Sequence, residues 1–118
     1  MKKQELQTEA KVIGTSITDL FDSNVSEHKM RYLVSIMLLG DGVASRVVDI
    51  YKKEEDGTYT PKFPMIPLAP ADSPTIPKCG FDLENPILVL EGGTNLAGKV
   101  NAGAGVSLVL SYYDDEIR

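Results

Sequence analysis

The chain has no tryptophan, one histidine (His28) and one cysteine (Cys79) among its 118 residues. A zinc site of the Cys/His kind therefore cannot be built within one copy, and no intramolecular disulfide can form. A small chain without a cross-link suits a reducing cytoplasm, so its stability must come from packing or assembly. His28 lies in a polar stretch and reads as a surface residue rather than a general base. Cys79, between Lys78 and Gly80, has no base or oxyanion site supplied by its neighbours and reads as structural. No apolar run approaches the roughly 18 residues of a membrane-spanning helix, so no membrane partner is expected. The N-terminal residues, MKKQELQTE, lack the apolar core of a secretory signal, which predicts synthesis and use without export. Positive charge is also scarce. Residues 1–59 carry 8 basic and 10 acidic side chains, residues 60–118 carry 4 and 7, and the net charge is −5. Neither half has the basic surplus that a phosphate backbone requires, so nucleic acid is not expected as a direct partner.

Sites for phosphates and metals are missing as well. Gly103-Ala104-Gly105-Val106-Ser107-Leu108 begins like a dinucleotide-binding fingerprint, but the third glycine is absent and β-forming residues follow where a helix should start. Gly92-Gly93 and Gly40-Asp41-Gly42 lack the lysine and the helix of a phosphate-binding loop, and read as turns. Glu54-Glu55-Asp56 and Asp114-Asp115-Glu116 lack the alternating ligand spacing of a calcium loop and read as solvated charge. Asn24-Val25-Ser26 matches a glycosylation sequon, which carries weight only in a secreted chain. No catalytic residue, metal or cofactor is expected.

What the chain does have is strand-forming segments punctuated by turns. Residues 11–21, with Val12, Ile13, Thr15, Ile17 and Thr18, favour an extended strand. Residues 31–39 (RYLVSIMLL) and 46–52 (RVVDIYK) read as two more. Glu54-Glu55-Asp56-Gly57 is a hairpin turn into Thr58-Tyr59-Thr60, with Gly57 at positive φ. Residues 87–90 form a short apolar run. Leu96, Gly98, Val100 and Ala102 then alternate with Lys99 and Asn101, and residues 106–113 make a last strand. With glycine turns at 91–95 and 102–105, residues 86–113 read as an antiparallel meander. Residues 1–9 read as a loose N-terminal arm that orders against a neighbour.

The middle of the chain is proline-rich. Six of the seven prolines fall between positions 61 and 77, and Pro61, Pro64, Pro67 and Pro70 recur at every third residue, the polyproline II period. Proline has no donor for a sheet interior, so residues 60–77 should follow a sheet edge or cross the surface as a stiff connection. A crossover, or a strap lying on a neighbouring subunit, is preferred to a PxxP recognition motif, because Phe63, Met65, Ile66 and Leu68 are interleaved with the prolines. Seven or eight short strands without a ten-residue amphipathic helix predict an all-β, single-domain β-sandwich of jelly-roll type over residues 10–118, preceded by the arm at 1–9.

The C-terminal segment resembles that of small bacteriophage virion proteins of β-sandwich type. The matching residues are Leu88-Val89-Leu90-Glu91, the Gly92-Gly93 turn, Leu96-Ala97-Gly98-Lys99-Val100, the turn Ala102-Gly103-Ala104-Gly105, and Val106-Ser107-Leu108-Val109-Leu110. Thr94-Asn95 and the long proline segment depart from the family's pattern. The resemblance implies a non-enzymatic auxiliary, or decoration, protein on the outside of a bacteriophage capsid, made in the host cytoplasm. Its implied partners are the major capsid protein, other virion proteins and copies of itself, with a trimer favoured. The contacts would then fall on the arm (Lys2, Lys3, Leu6) and the strap (Pro61, Phe63, Pro64, Met65, Ile66, Pro67, Leu68). The alternatives are a head-tail connector, a tail or fibre-base component, or a carbohydrate-binding β-sandwich. The last would draw its stacking aromatics from Tyr32, Tyr51, Tyr59, Tyr112 and Tyr113.

Overall fold

A computed structural model describes residues 5–77 and 85–116. Cys79, Lys2 and Lys3 lie outside the described residues. Nine strands and no helix occur within them: β1 (Gln7–Ile13), β2 (Thr18–Asp19), β3 (Lys29–Leu39), β4 (Arg46–Lys53), β5 (Tyr59–Leu68), β6 (Thr75–Ile76), β7 (Leu88–Leu90), β8 (Asn95–Val100) and β9 (Val106–Glu116). They form two antiparallel sheets. The first has the order β1-β9-β3, with β6 and β7 both pairing along the far side of β3; the second has the order β2-β8-β4-β5. Counted as one interrupted strand, β6 and β7 leave eight strands, ordered 1-8-3-6 in one sheet and 2-7-4-5 in the other. That is the jelly-roll order, and the protein is an all-β, single-domain β-sandwich.

The core follows from alternation. Val106, Leu108, Leu110 and Tyr112 of β9 point inward beside Leu33, Ile36 and Leu38 of β3. Val48 and Ile50 of β4 and Leu96 and Val100 of β8 meet them from the second sheet. Positions of opposite parity on β3, β4 and β9 are mostly less buried, so each of these strands has an inner and an outer side.

The expected meander does not form. β7 and β9 belong to the first sheet and β8 to the second, so the glycine segments carry the chain across the gap of about 10 Å between sheets instead of turning it back. Gly92 is needed for this passage, since a Cβ there would lie 2.6 Å from the Glu27 Cα. The expected strand over 11–21 is likewise two strands in different sheets. The chain leaves β1 at Gly14, whose carbonyl accepts a bond from Val100 N (2.9 Å), and enters β2 at Thr18. Both halves are β-branched, so the pattern could not show the corner. Part of the segment expected as an arm is strand, because Gln7, Thr8 and Glu9 pair with Tyr112, Ser111 and Leu110. The hairpin at 54–57 forms as expected, with Gly57 at φ 91° and Glu54 N bonded to Thr58 O at 2.7 Å.

Polar side chains hold the crossings. Asn95, 1% exposed, accepts from Phe21 N (3.3 Å) and Leu96 N (2.7 Å) through Oδ1 and donates through Nδ2 to Phe21 O and Asn24 Oδ1 (both 3.1 Å). It thereby stitches the loop after β2 to the start of β8. At the opposite corner Asp41 accepts from Val43 N (2.9 Å), Ala44 N (3.3 Å) and Arg46 Nε (2.7 Å), fastening the turn from β3 to β4.

Two stability predictions follow from this architecture. Leu110→Ala, at a fully buried site, should cost about 2–5 kcal/mol in a urea titration. The Val43 backbone bond and the Arg46 guanidinium hold the Asp41 carboxyl below the usual carboxylate range. Its contribution is therefore complete above the unfolded-state pKa and disappears as pH falls through the folded one. Asp41→Asn should lower Tm near neutral pH, and its gap to the native protein should close as melts are taken from about pH 5 towards pH 2.5.

Candidate assembly surface

The expected strap is β5, an edge strand of the second sheet whose pairing explains the prolines. Val47 N donates to Asn101 Oδ1 (2.9 Å) and Asn101 N donates to Val47 O (3.0 Å), so Val47 turns its backbone groups towards β8. Its partner Pro67 therefore faces away from β4, and alternation gives the same orientation opposite Asp49 and Tyr51. Two bulges each insert one extra residue into β5. Steps of three along β5 thus become steps of two along β4, and Pro61, Pro64 and Pro67 all take outward positions. Met65, at φ 55°, completes the central bulge and donates its N–H to Asp49 Oδ1 at 2.8 Å. The edge keeps its acceptors but loses donors where another strand would dock.

Bulging also sorts the expected contact residues. Leu68 is buried, and Phe63 and Ile66 are half-buried against the core, so these three are turned inward. Pro61, Pro64, Met65 and Pro67 are exposed, with Met65 at 76%. Leu6 is exposed just before β1, which belongs to the other sheet from β5.

A different surface was not foreseen from the sequence. Cross-strand register places Thr8, Ala10 and Val12 of β1, Ser107, Val109 and Ser111 of β9, Ser35, Met37 and Leu39 of β3, and Thr75 of β6 on the outer side of the first sheet. None of them is charged, and Val12 (59%), Met37 (38%) and Leu39 (36%) are open to solvent. Tyr113 and Tyr32 continue the face as a stacked pair with ring centroids 5.0 Å apart, and Asp115, two residues beyond Tyr113, ends its uncharged part. The outer side of the second sheet contrasts with it. There Asp49, Lys99, Lys53 and Asp19 lie among the strands, Lys53 pairs with Asp19 at 3.0 Å, and Lys99 Nζ stands 6.0 Å from the Tyr51 ring. Depletion of charge on one face of a net-acidic domain is a feature of interface centres.

Metal-ligating side chains are not clustered among the described residues. His28 is exposed in the turn before β3, and no group of three His, Cys, Asp or Glu side chains could hold a metal ion. A shallow polar hollow of about 210 Å³ is lined by Glu9, Phe21, Asp22, Asn24, Arg31 and Tyr112. Its cation is already committed. Arg31 forks onto Asp114 at 2.7 and 2.8 Å and lies 4.5 Å from the Phe21 centroid and 4.3 Å from that of Tyr112. Burial opposes the guanidinium's charge, but the Asp114 carboxylate outweighs it and raises the Arg31 pKa.

Fold and surface together define an all-β jelly-roll domain with one proline-closed edge and one outer face that is uncharged over its centre. No family model and no curated protein matches the sequence. Among solved structures, a chain of the Bacillus endospore appendages, described as a family of disulfide-linked pili, is similar over 98% of this chain and 88% of its own. The TM-score is 0.51 and the identity 13%, a likeness of fold. A Shewanella oneidensis protein aligns with 92% of this chain and 68% of its own at 18% identity, with a TM-score of only 0.28.

Replacing Pro61, Pro64 and Pro67 together by threonine should restore the missing donors along β5. Light scattering should then rise with concentration well beyond that of the native protein, while far-UV circular dichroism stays β-rich.

Proposed function

We propose that this protein is a non-catalytic structural subunit that works in many copies, as an auxiliary protein on the outside of a bacteriophage capsid. The observation that carries the structural role is the uncharged central part of the outer face of the first sheet, with Val12, Met37 and Leu39 open to solvent on a chain of net charge −5. A solvated sheet face on an acidic domain ordinarily carries charge, and one that does not is suited to burial against another protein. The virion setting rests on the resemblance of residues 88–110 to phage β-sandwich proteins. The major capsid protein and copies of this chain are its partners in this reading, and its compartment is the virion surface after synthesis in the host cytoplasm.

A filament is the second reading, favoured by the fold shared with the endospore appendage chain across nearly the whole of both. Sugar binding has less support. Tyr112 packs edge-on to Phe21, Tyr113 stacks on Tyr32, and Tyr51 meets Tyr59 at 71°, which leaves no flat platform of adjacent rings.

Location and copy number decide between these settings. Particles from a producing culture, imaged by electron cryo-microscopy and quantified by mass spectrometry, should carry hundreds of copies on an icosahedral shell. About a dozen copies on the portal axis would move the protein to the connector or tail. Helical fibres built from this chain would establish the filament, and absence from every particle and fibre would overturn the structural role.

A further inference from the structure

We infer that the open edge of β1 is a homotypic pairing site, at which β1 of a second copy adds antiparallel about a two-fold axis through Ala10. The inference adds a partner and a register to the multi-copy reading above. Its starting point is the unequal treatment of the four sheet edges. β5 is closed by outward prolines, β2 is two residues long, and β6 and β7 are two and three residues long. Only β1 presents a regular seven-residue edge, and its other side is fully paired to β9 from Gln7 to Ile13. It has no proline, and the described structure places no strand beyond it. Such an edge displays backbone donors and acceptors ready for another strand.

Charge complementarity selects the occupant and the register. The strand reads Gln-Thr-Glu-Ala-Lys-Val-Ile, with its two charges placed symmetrically about Ala10. A two-fold antiparallel pair centred on Ala10 sets Glu9 of each copy opposite Lys11 of the other, Thr8 opposite Val12 and Gln7 opposite Ile13, so all seven residues are paired. Centring on Glu9 would oppose two carboxylates, and centring on Lys11 would oppose two ammonium groups, each unfavourable across strands. Centring on Thr8 or Val12 would leave part of the strand unpaired. Lys11 already holds Asp22 at 3.2 Å, with Asp22 80% exposed. Its ammonium can bridge that carboxylate and a second one, since it carries three donors.

The geometry of the face agrees with this partner. Thr8, Ala10 and Val12 lie on the uncharged outer side, so pairing joins two such faces into one continuous sheet surface. Val12, at 59% the most exposed large hydrophobic side chain of that face, would lie beside Thr8 of the other copy. A small uncharged centre at Ala10 lets the two strands approach without a side-chain conflict at the axis. The two-fold pair, rather than the trimer that the family resemblance implied, is then the unit of self-association.

A charge exchange on the full chain tests the pairing. Sedimentation equilibrium of the native protein at low ionic strength should show the average mass rising from 12.9 kDa towards twice that value as concentration increases. Added salt should weaken the association. E9K sets two ammonium groups opposite each other and K11E sets two carboxylates, and each should weaken association by about ten-fold or more. The double variant E9K/K11E recreates opposite charges and should recover the native affinity, with amide exchange at residues 8–12 slowed at high concentration in both. Melting curves of all four proteins show whether each is folded, and recovery in the double variant separates lost pairing from local damage beside Arg31. A native protein that stays monomeric up to about 0.5 mM overturns the inference. So does association that the single variants leave unchanged or the double variant fails to restore. Many copies on a particle together with a monomer in solution would sink this pairing alone and leave the structural role standing.

Discussion

The long ladder between β3 and β9 is the constraint on which the rest of the molecule depends. It joins Lys29–Leu39 to Val106–Glu116, so most of the chain lies between its two partners. Every other strand of the first sheet is attached to it, β1 through β9 and β6 and β7 through β3. The second sheet must then be made largely from the intervening chain, which travels out and back across the gap. Such contacts are distant in sequence, and their loop-closure cost is recovered only when both sheets bury their inner faces together. Arg31 and Asp114 secure one end of the ladder, with the guanidinium between two rings of the core. At the other end the turn held by Asp41 and Arg46 starts the first long passage into the second sheet.

A sandwich of this kind must deal with its edges, and this one treats them unequally. Proline on β5 and brevity on β2, β6 and β7 suppress pairing at three of four edges, at little cost to the core. Leaving β1 regular, proline-free and self-complementary in charge concentrates strand pairing at a single place. The uncharged face beside β1 belongs to the same design, because an edge and the face adjoining it are buried together when sheets become continuous.

Individual residues show how much of this could be read in advance. Gly57, the hairpin it closes and the edge position of the proline segment were legible, because turn chemistry and the missing proline donor act locally. The period-three prolines were read as a polyproline repeat, whereas bulges convert that spacing into the period of a strand. Leu68 and Phe63 looked available for contact only until the bulges fixed which way they point. Asn95 appeared as a departure from a family pattern, and its four hydrogen bonds, reaching Phe21 and Asn24, are invisible without the crossing they secure. The uncharged face comprises three short uncharged rows, at 8, 10 and 12, at 35, 37 and 39, and at 107, 109 and 111. Each is unremarkable alone, and only register makes them neighbours.

The sequence by itself determined the all-β class, the strand segments, the turns and the shortage of reactive groups, since these depend on side-chain chemistry and on spacing within a few residues. Tertiary structure decided which strands pair and which glycine segments are sheet-to-sheet crossings, and it joined separate rows into one face with an open edge. The physical reason is that a strand's period of two records which side is buried but not which neighbour it bonds. Neighbour choice is made by long-range closure of both sheets over one core.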